Sequence, residues 1–198
     1  MCDLPERLDG ATNTLLCAPS MSGHAGGGGL CTELLHARES QGSVLWVTYT
    51  RSPSACVEAV QASSLAPATL SVIAVGETPT EADSLSSVSI DGVATPSDLT
   101  GLGITLSQRL SACEDVVVCF DSLTAVLQYV ELEPLYEFLH AVVGQLHAAD
   151  ARAHFHLDPT AHDSQTVEAV TSLFDAVVYV REDGHEVRTR KSLQEQNH

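Results

Sequence analysis

Between an apolar run ending in Leu16–Cys17 and an apolar stretch beginning at Leu30, the chain reads Ala18-Pro-Ser-Met-Ser-Gly-His-Ala25, then four glycines, Gly26 to Gly29. A strand that breaks into a glycine-bearing turn and then a helix has the layout of a phosphate-binding loop, G-x-x-x-x-G-K-[ST]. In that pattern glycines let backbone N–H groups converge on phosphate, a lysine neutralises the β/γ charge, and a hydroxyl holds Mg²⁺. Gly23 fits, but Ala18 stands in place of the first glycine, His24 of the lysine and Ala25 of the hydroxyl. A neutral imidazole, with an unperturbed pKa of about 6.5, brings no fixed positive charge, and alanine cannot ligate Mg²⁺. Ser20, Ser22, Gly23, His24, Ala25 and Gly26 are therefore candidates for a degenerate nucleotide site for ATP or ADP, with or without Mg²⁺. A glycine-rich strand-to-helix turn without a ligand is the alternative. Each glycine in a helix costs up to about 1 kcal/mol against alanine, so Gly26 to Gly29 imply a loose or delayed helix start.

A second candidate lies in Val116-Val-Val-Cys-Phe-Asp121, followed by Ser122-Leu-Thr124. A buried strand delivering a carboxylate to its C-terminal end places Asp121 where it can hold the Mg²⁺ shell beside a phosphate loop. The competing reading is that Asp121 caps the next helix, a role Ser122 can share.

The third is His154, His156, Asp158 and His162. On a strand, residues 154 and 156 point to one face, and the other two follow at its end. Two imidazoles and a carboxylate can bind Zn²⁺ or Fe²⁺, which would make a metal-dependent enzyme. Otherwise one imidazole packs in the sheet and the rest line a polar loop. None of the six cysteines, Cys2, Cys17, Cys31, Cys56, Cys113 and Cys119, forms a C-x-x-C pair, so neither a zinc knuckle nor a redox pair is expected. Cys17, Cys113 and Cys119 sit in or beside apolar segments and read as small buried hydrophobes in a reducing cytoplasm.

The elements that must position these residues alternate. Strands are expected at Asn13 to Ala18, Val44 to Thr50, Leu70 to Val75, Asp115 to Phe120, Arg152 to Leu157 and Ala176 to Val180. Several are apolar at successive positions, as in strands covered on both faces. Helices are expected from the glycine run to about Arg38, after Pro53 with Ser52 as N-cap, near Ser97 to Cys113, over Glu133 to Ala149, and from Asp163 to Leu173. In the fourth, Leu135, Leu139, Val142 and Leu146 make one helical face. Such alternation implies right-handed crossovers and a three-layer α/β/α domain with a mainly parallel sheet. One domain of 198 residues is expected, with an extension over 1–11, an elaborated surface loop over 76–100 holding a short strand at Ser87 to Ile90, and a polar tail over 191–198.

With 26 acidic and 9 basic residues, the formal charge is −17. Such a field repels phosphate backbones, so no nucleic-acid partner is expected; the one basic cluster is Arg188, Arg190 and Lys191. Many carboxylates and a single lysine resemble proteins of salt-loving archaea, where carboxylates keep the surface hydrated and molar salt screens their repulsion. No run approaches the length of a membrane span, and the start lacks a basic segment followed by an apolar one, so a cytoplasmic protein is expected.

Phe120-Asp-Ser-Leu-Thr124, a long helix, His154-Phe-His-Leu-Asp-Pro159 and Ser172-Leu-Phe-Asp-Ala-Val-Val178 together resemble the RecA/KaiC-like ATPases of archaea, over about Asn13 to Arg190. More closely, they resemble degenerate haloarchaeal KaiC-like domains linked to signalling proteins. The resemblance implies nucleotide at the C-terminal ends of a parallel sheet, and hydrolysis by acidic residues just after the second strand. Here that position reads Thr48-Tyr-Thr-Arg-Ser-Pro53 and holds Arg51 instead of an acid. With lysine and Mg²⁺ hydroxyl also missing, water activation and charge neutralisation both fail. The expectation is a non-catalytic module acting on a protein partner in signalling or regulation, with homo-oligomers open to it as to other RecA-like domains. A nucleotide-binding protein with an atypical loop and a metal-dependent enzyme are the alternatives.

Overall fold

The computed structural model describes residues 4–8, 10–19, 28–35, 42–63, 65–76, 88–181 and 184–190. Strands β1 (Asn13–Cys17), β2 (Ser43–Thr48), β3 (Thr69–Val75), β4 (Val88–Val93), β5 (Val116–Asp121), β6 (Arg152–Leu157), β7 (Ala176–Arg181) and β8 (Gly184–Thr189) form one sheet. Their order is β4-β3-β2-β5-β6-β1-β7-β8. Every pairing is parallel except β7 with β8.

Alternate residues of each strand feed opposite layers. Val118, Phe120, Phe155 and Leu45 face a core shared with Leu102, Leu106 and Leu110 of α4 (Leu99–Ala112) and Leu135, Leu139, Val142 and Leu146 of α6 (Leu132–Ala148). The four-residue apolar face of α6 is fully buried, each side chain contributing about 1.5–3 kcal/mol. Two shorter helices, α5 (Leu123–Val126) and α7 (Ser164–Thr171), complete that layer. Val44, Trp46, Val72, Val117 and Cys119 face the other way, against α2 (Gly28–Leu35) and α3 (Pro53–Ala62). Leu16, Ala176 and Val178 meet Leu34 of α2 and Leu4 of α1 (Leu4–Arg7). The result is a three-layer α/β/α fold with a mostly parallel sheet, as the strand–helix alternation requires.

The helix starts follow local chemistry. Ser52, Asp98 and Asp163 accept the backbone N–H of Ala55, Gly101 and Thr166 at 3.3, 2.8 and 2.8 Å, each satisfying a donor that the first turn leaves open.

The structure differs from the sequence reading at the edges. Within 76–100 the short strand expected at Ser87 to Ile90 extends to Val93 and pairs along β3 as an edge strand, and α4 begins at Leu99, close to the expected Ser97. Arg109 of α4 is paired with Asp91 of this strand. Gly184–Thr189 forms a strand the sequence reading lacked. Its residues, GHEVRT, are polar because an edge strand buries little, and backbone pairing with β7 holds it. The 1–11 extension contributes α1, whose Leu4 is buried beside Leu8.

Candidate functional site

Strand β5 carries Asp121 to its C-terminal end, opposite Thr48 of β2. The turn leaving β2 is held by Thr48, whose hydroxyl oxygen accepts from the Arg51 N–H at 2.9 Å and the Thr50 N–H at 3.3 Å. That turn aims two side chains at Asp121. Arg51 Nε lies 3.2 Å from Asp121 Oδ2, and Thr50 Oγ1 donates to the same oxygen at 3.1 Å. The Arg51 guanidinium also sits 5.9 Å from the centre of the Trp46 ring. Any cation approaching Asp121 must compete with a guanidinium already paired to it. The Asp121–Ser122 peptide bond is cis, and Ser122, not Asp121, caps α5 by accepting the Ala125 N–H at 3.3 Å.

Ser20, Ser22, Gly23, His24, Ala25 and Gly26 lie outside the described residues. The elements on either side place them between the end of β1 and the start of α2, with the Ala18 N–H bonded to the Leu157 carbonyl at 3.0 Å.

A second constellation lies under α2. The strand order separates β1 from β2 by β6 and β5, so the β1-to-β2 connection crosses both, and α2 is the helix on that path. Cys31 projects from it. Beneath it, Cys119 of β5 is the register partner of His154 of β6, and His156 follows two residues on, on the same face. Cys31 Sγ stands 3.3 Å from Cys119 Sγ and 3.1 Å from His154 Nε2, and Cys119 Sγ is 3.7 Å from His156 Nε2. The two imidazole centroids are 5.4 Å apart. One donor atom from each of the four residues falls within 4.8 Å of all the others. Cys31, Cys119 and His154 are buried and His156 is half-buried.

The electrostatics of this group are internally matched. The hydrogen bond from Cys119 and the adjacent histidines hold the Cys31 thiol well below its ordinary range, against the opposing effect of burial. Burial, then the contact with Cys31, pushes Cys119 well above it. For His156, burial opposes charging, yet the contact with and charge of Cys31 raise it overall. Two sulfurs and two ring nitrogens within 4.8 Å of one another are a donor set that can hold a tetrahedral metal ion. By contrast, burial pushes the thiols of Cys17 and Cys56 up to about 12.

This corrects the histidine reading. His154 and His156 do share a face and a site, but Asp158 and His162 do not belong to it. Asp158 caps the 3-10 turn Pro159–Ala161, accepting the Thr160 N–H at 2.9 Å and its hydroxyl at 2.6 Å. His162 Nε2 is buried without a hydrogen-bond partner among the described residues. Cys119 is a small buried residue packed in an apolar cluster, as expected, and it also meets another thiol and an imidazole. Cys31 and Cys119 are 88 residues apart, so no spacing motif could have joined them. The one available signal was strand parity, which puts Cys119 on the face of Val117 rather than with Phe120.

Arg188 of the basic cluster is paired with Glu186 at 2.8 Å, and Arg190 donates to the Ser172 carbonyl at 2.8 Å; Lys191 lies outside the described residues. Among the described residues, no helix is long and apolar enough to cross a membrane.

A family model for DUF7504 matches residues 12–180. The chain belongs to DUF7504, a family of unknown function. No curated protein matches this DUF7504 chain. Among solved structures it is similar to a Pyrococcus horikoshii OT3 protein, PH0250, at 12% identity and a TM-score of 0.61, over 91% of this chain and 86% of that one. It is also similar to PH0321 of Pyrococcus horikoshii, solved in complex with an unknown peptide, at 11% identity and a TM-score of 0.62, over 96% and 90% of the two chains. At such identities the likeness is one of fold.

Proposed function

We propose that this chain is a non-catalytic RecA/KaiC-like module that acts by gripping a protein partner, in signalling or regulation within the cytoplasm of a salt-adapted cell. The observation that carries the reading is the pairing of Asp121 with Arg51 at 3.2 Å. The resemblance assigns Asp121 to Mg²⁺ and the Arg51 segment to a catalytic acid. In this chain a guanidinium replaces the acid and neutralises the carboxylate, so both steps are lost together. His24 and Ala25, in place of lysine and hydroxyl, point the same way. A chain of the same fold, PH0321, was solved with a peptide, the kind of occupant this reading calls for.

The test is calorimetric titration of ATP, with and without Mg²⁺, into the purified chain in molar KCl, alongside a phosphate-release assay. The expected result is no release above background and no Mg²⁺-dependent heat. Hydrolysis at an ordinary ATPase rate would overturn the reading. Tight ATP binding without hydrolysis, lost on changing Gly23 or His24, would favour a nucleotide-binding protein with an atypical loop.

A further inference from the structure

We propose that Cys31, Cys119, His154 and His156 form a closed, structural site for one zinc-class divalent ion that fastens α2 to the sheet.

On the α1–α3 side of the sheet the apolar packing divides into two clusters, one including Val44, Trp46, Val117 and Cys119, the other Leu16, Ala176 and Val178. Helix α2 spans the division, giving Cys31 and Leu35 to one cluster and Leu34 to the other. The strands beneath the division are β5, β6 and β1, and on this face β6 presents Arg152 at its start, then His154 and His156. Burying imidazoles in an apolar layer is unfavourable unless their polar atoms are satisfied. Here both Nε2 atoms are turned toward sulfur. A small cavity whose lining includes Leu8, Thr14, Leu34, Val117, Arg152 and His154 reaches the cluster from the other end of the strands.

The spacing fits the ion. A tetrahedral centre with metal–sulfur bonds of about 2.3 Å and metal–nitrogen bonds of about 2.0–2.1 Å separates its ligands by about 3.3–3.8 Å. Three of the six donor separations are 3.3, 3.1 and 3.7 Å and the others lie within 4.8 Å, so ligation needs the four side chains to draw together around the ion. The charge closes as well: each thiol releases its proton to solvent, the imidazoles stay neutral, and two thiolates balance the divalent ion. Mixed sulfur and nitrogen donors in a tetrahedral arrangement select zinc over Mg²⁺ or Ca²⁺. All four positions come from the protein and three of the residues are buried, which is the closed form of a structural centre rather than the open form of a catalytic one.

Helix α2 is the element that gains. It begins Gly28-Gly29, follows two more glycines, and has no acidic residue in its first turn. Glycine disfavours helix and no first-turn carboxylate meets the dipole. A ligand from α2 joined to three from β5 and β6 supplies an anchor its own sequence lacks.

The full chain, purified without a histidine tag in molar KCl and reductant, is analysed for bound metal, then stripped and titrated with Co²⁺. One zinc per chain is expected, with a Co²⁺ spectrum showing tetrahedral visible bands and thiolate charge transfer. Cys31→Ser and Cys119→Ser should each weaken Co²⁺ binding at least tenfold, while Cys17→Ser and Cys113→Ser leave it unchanged. X-ray absorption on the wild-type zinc form, which needs no variant to fold, should give two sulfur and two nitrogen neighbours. Failure of the wild type to take up metal, another ligand set, or undiminished binding by Cys31→Ser and Cys119→Ser overturns the proposal. So does a Cys31–Cys119 disulfide in protein prepared without reductant.

Discussion

Arg51 and Asp121 meet across the ends of two neighbouring parallel strands, with Nε 3.2 Å from Oδ2 and side-chain exposures of 35% and 14%. The pair is neither a surface contact nor a fully buried one. Exposed pairs contribute near zero and buried ones several kcal/mol when one partner is removed, so Arg51→Ala should cost about 1 kcal/mol. Asp121→Asn should cost a similar amount, and the double variant less than the sum, because the contact is counted twice. Denaturant unfolding of all four proteins measures this. Additive costs would mean that the two groups do not interact in solution.

Phe155 stacks on Phe120 at 5.2 Å between centroids and meets Phe174 edge-on at 5.1 Å, with both Phe155 and Phe120 fully buried. Phe155→Ala removes both ring contacts and opens a cavity at the centre of the sheet. The expected loss is about 3–5 kcal/mol, read as a fall in the denaturation midpoint at unchanged slope. A loss under about 1 kcal/mol would contradict this packing.

Two glycines should respond in opposite directions. Gly144 lies on the exposed side of α6 with open space where a Cβ would stand, so Gly144→Ala should stabilise by about 0.5–1 kcal/mol. Gly76 has a φ of +85°, and a Cβ there would come 3.0 Å from Pro96 Cγ, so Gly76→Ala should destabilise. Thermal melts of the two variants check both signs.

Asp163 gives a pH signature. The backbone N–H and then the hydroxyl of Thr166 hold its carboxyl below the ordinary range. A lowered folded pKa adds stability that is present above the unfolded value, about 3.9, and is lost as pH falls through the folded value. Asp163→Asn keeps an acceptor for the cap but does not titrate. The gap between wild type and variant should therefore shrink on acidification from pH 6 toward 3. A constant gap would show that the cap does not distinguish carboxylate from amide.

Much of the architecture was legible because buried strands and amphipathic helices write their periods into the chain. The Val116–Asp121 and Arg152–Leu157 strands, the Ser52 and Asp163 caps, and the Leu135, Leu139, Val142 and Leu146 face follow from local rules. Strands β4 and β8 were harder to read because edge strands are held by backbone pairing, and residues such as Ser89, Asp91, His185 and Glu186 carry little hydrophobic signal.

The site divides along the same line. The sequence by itself determined that Asp121 ends a buried strand and that His154 and His156 share a face, since both follow from the two-residue period of a strand. It also put Arg51 just after the second strand. Tertiary structure alone decided that Arg51 reaches Asp121, and that Cys31 and Cys119 join the two histidines. Those meetings depend on strand order: β2 lies against β5, β5 against β6, and the β1-to-β2 connection crosses both of the latter. Strand order is set by the packing of the whole sheet, which no local period encodes.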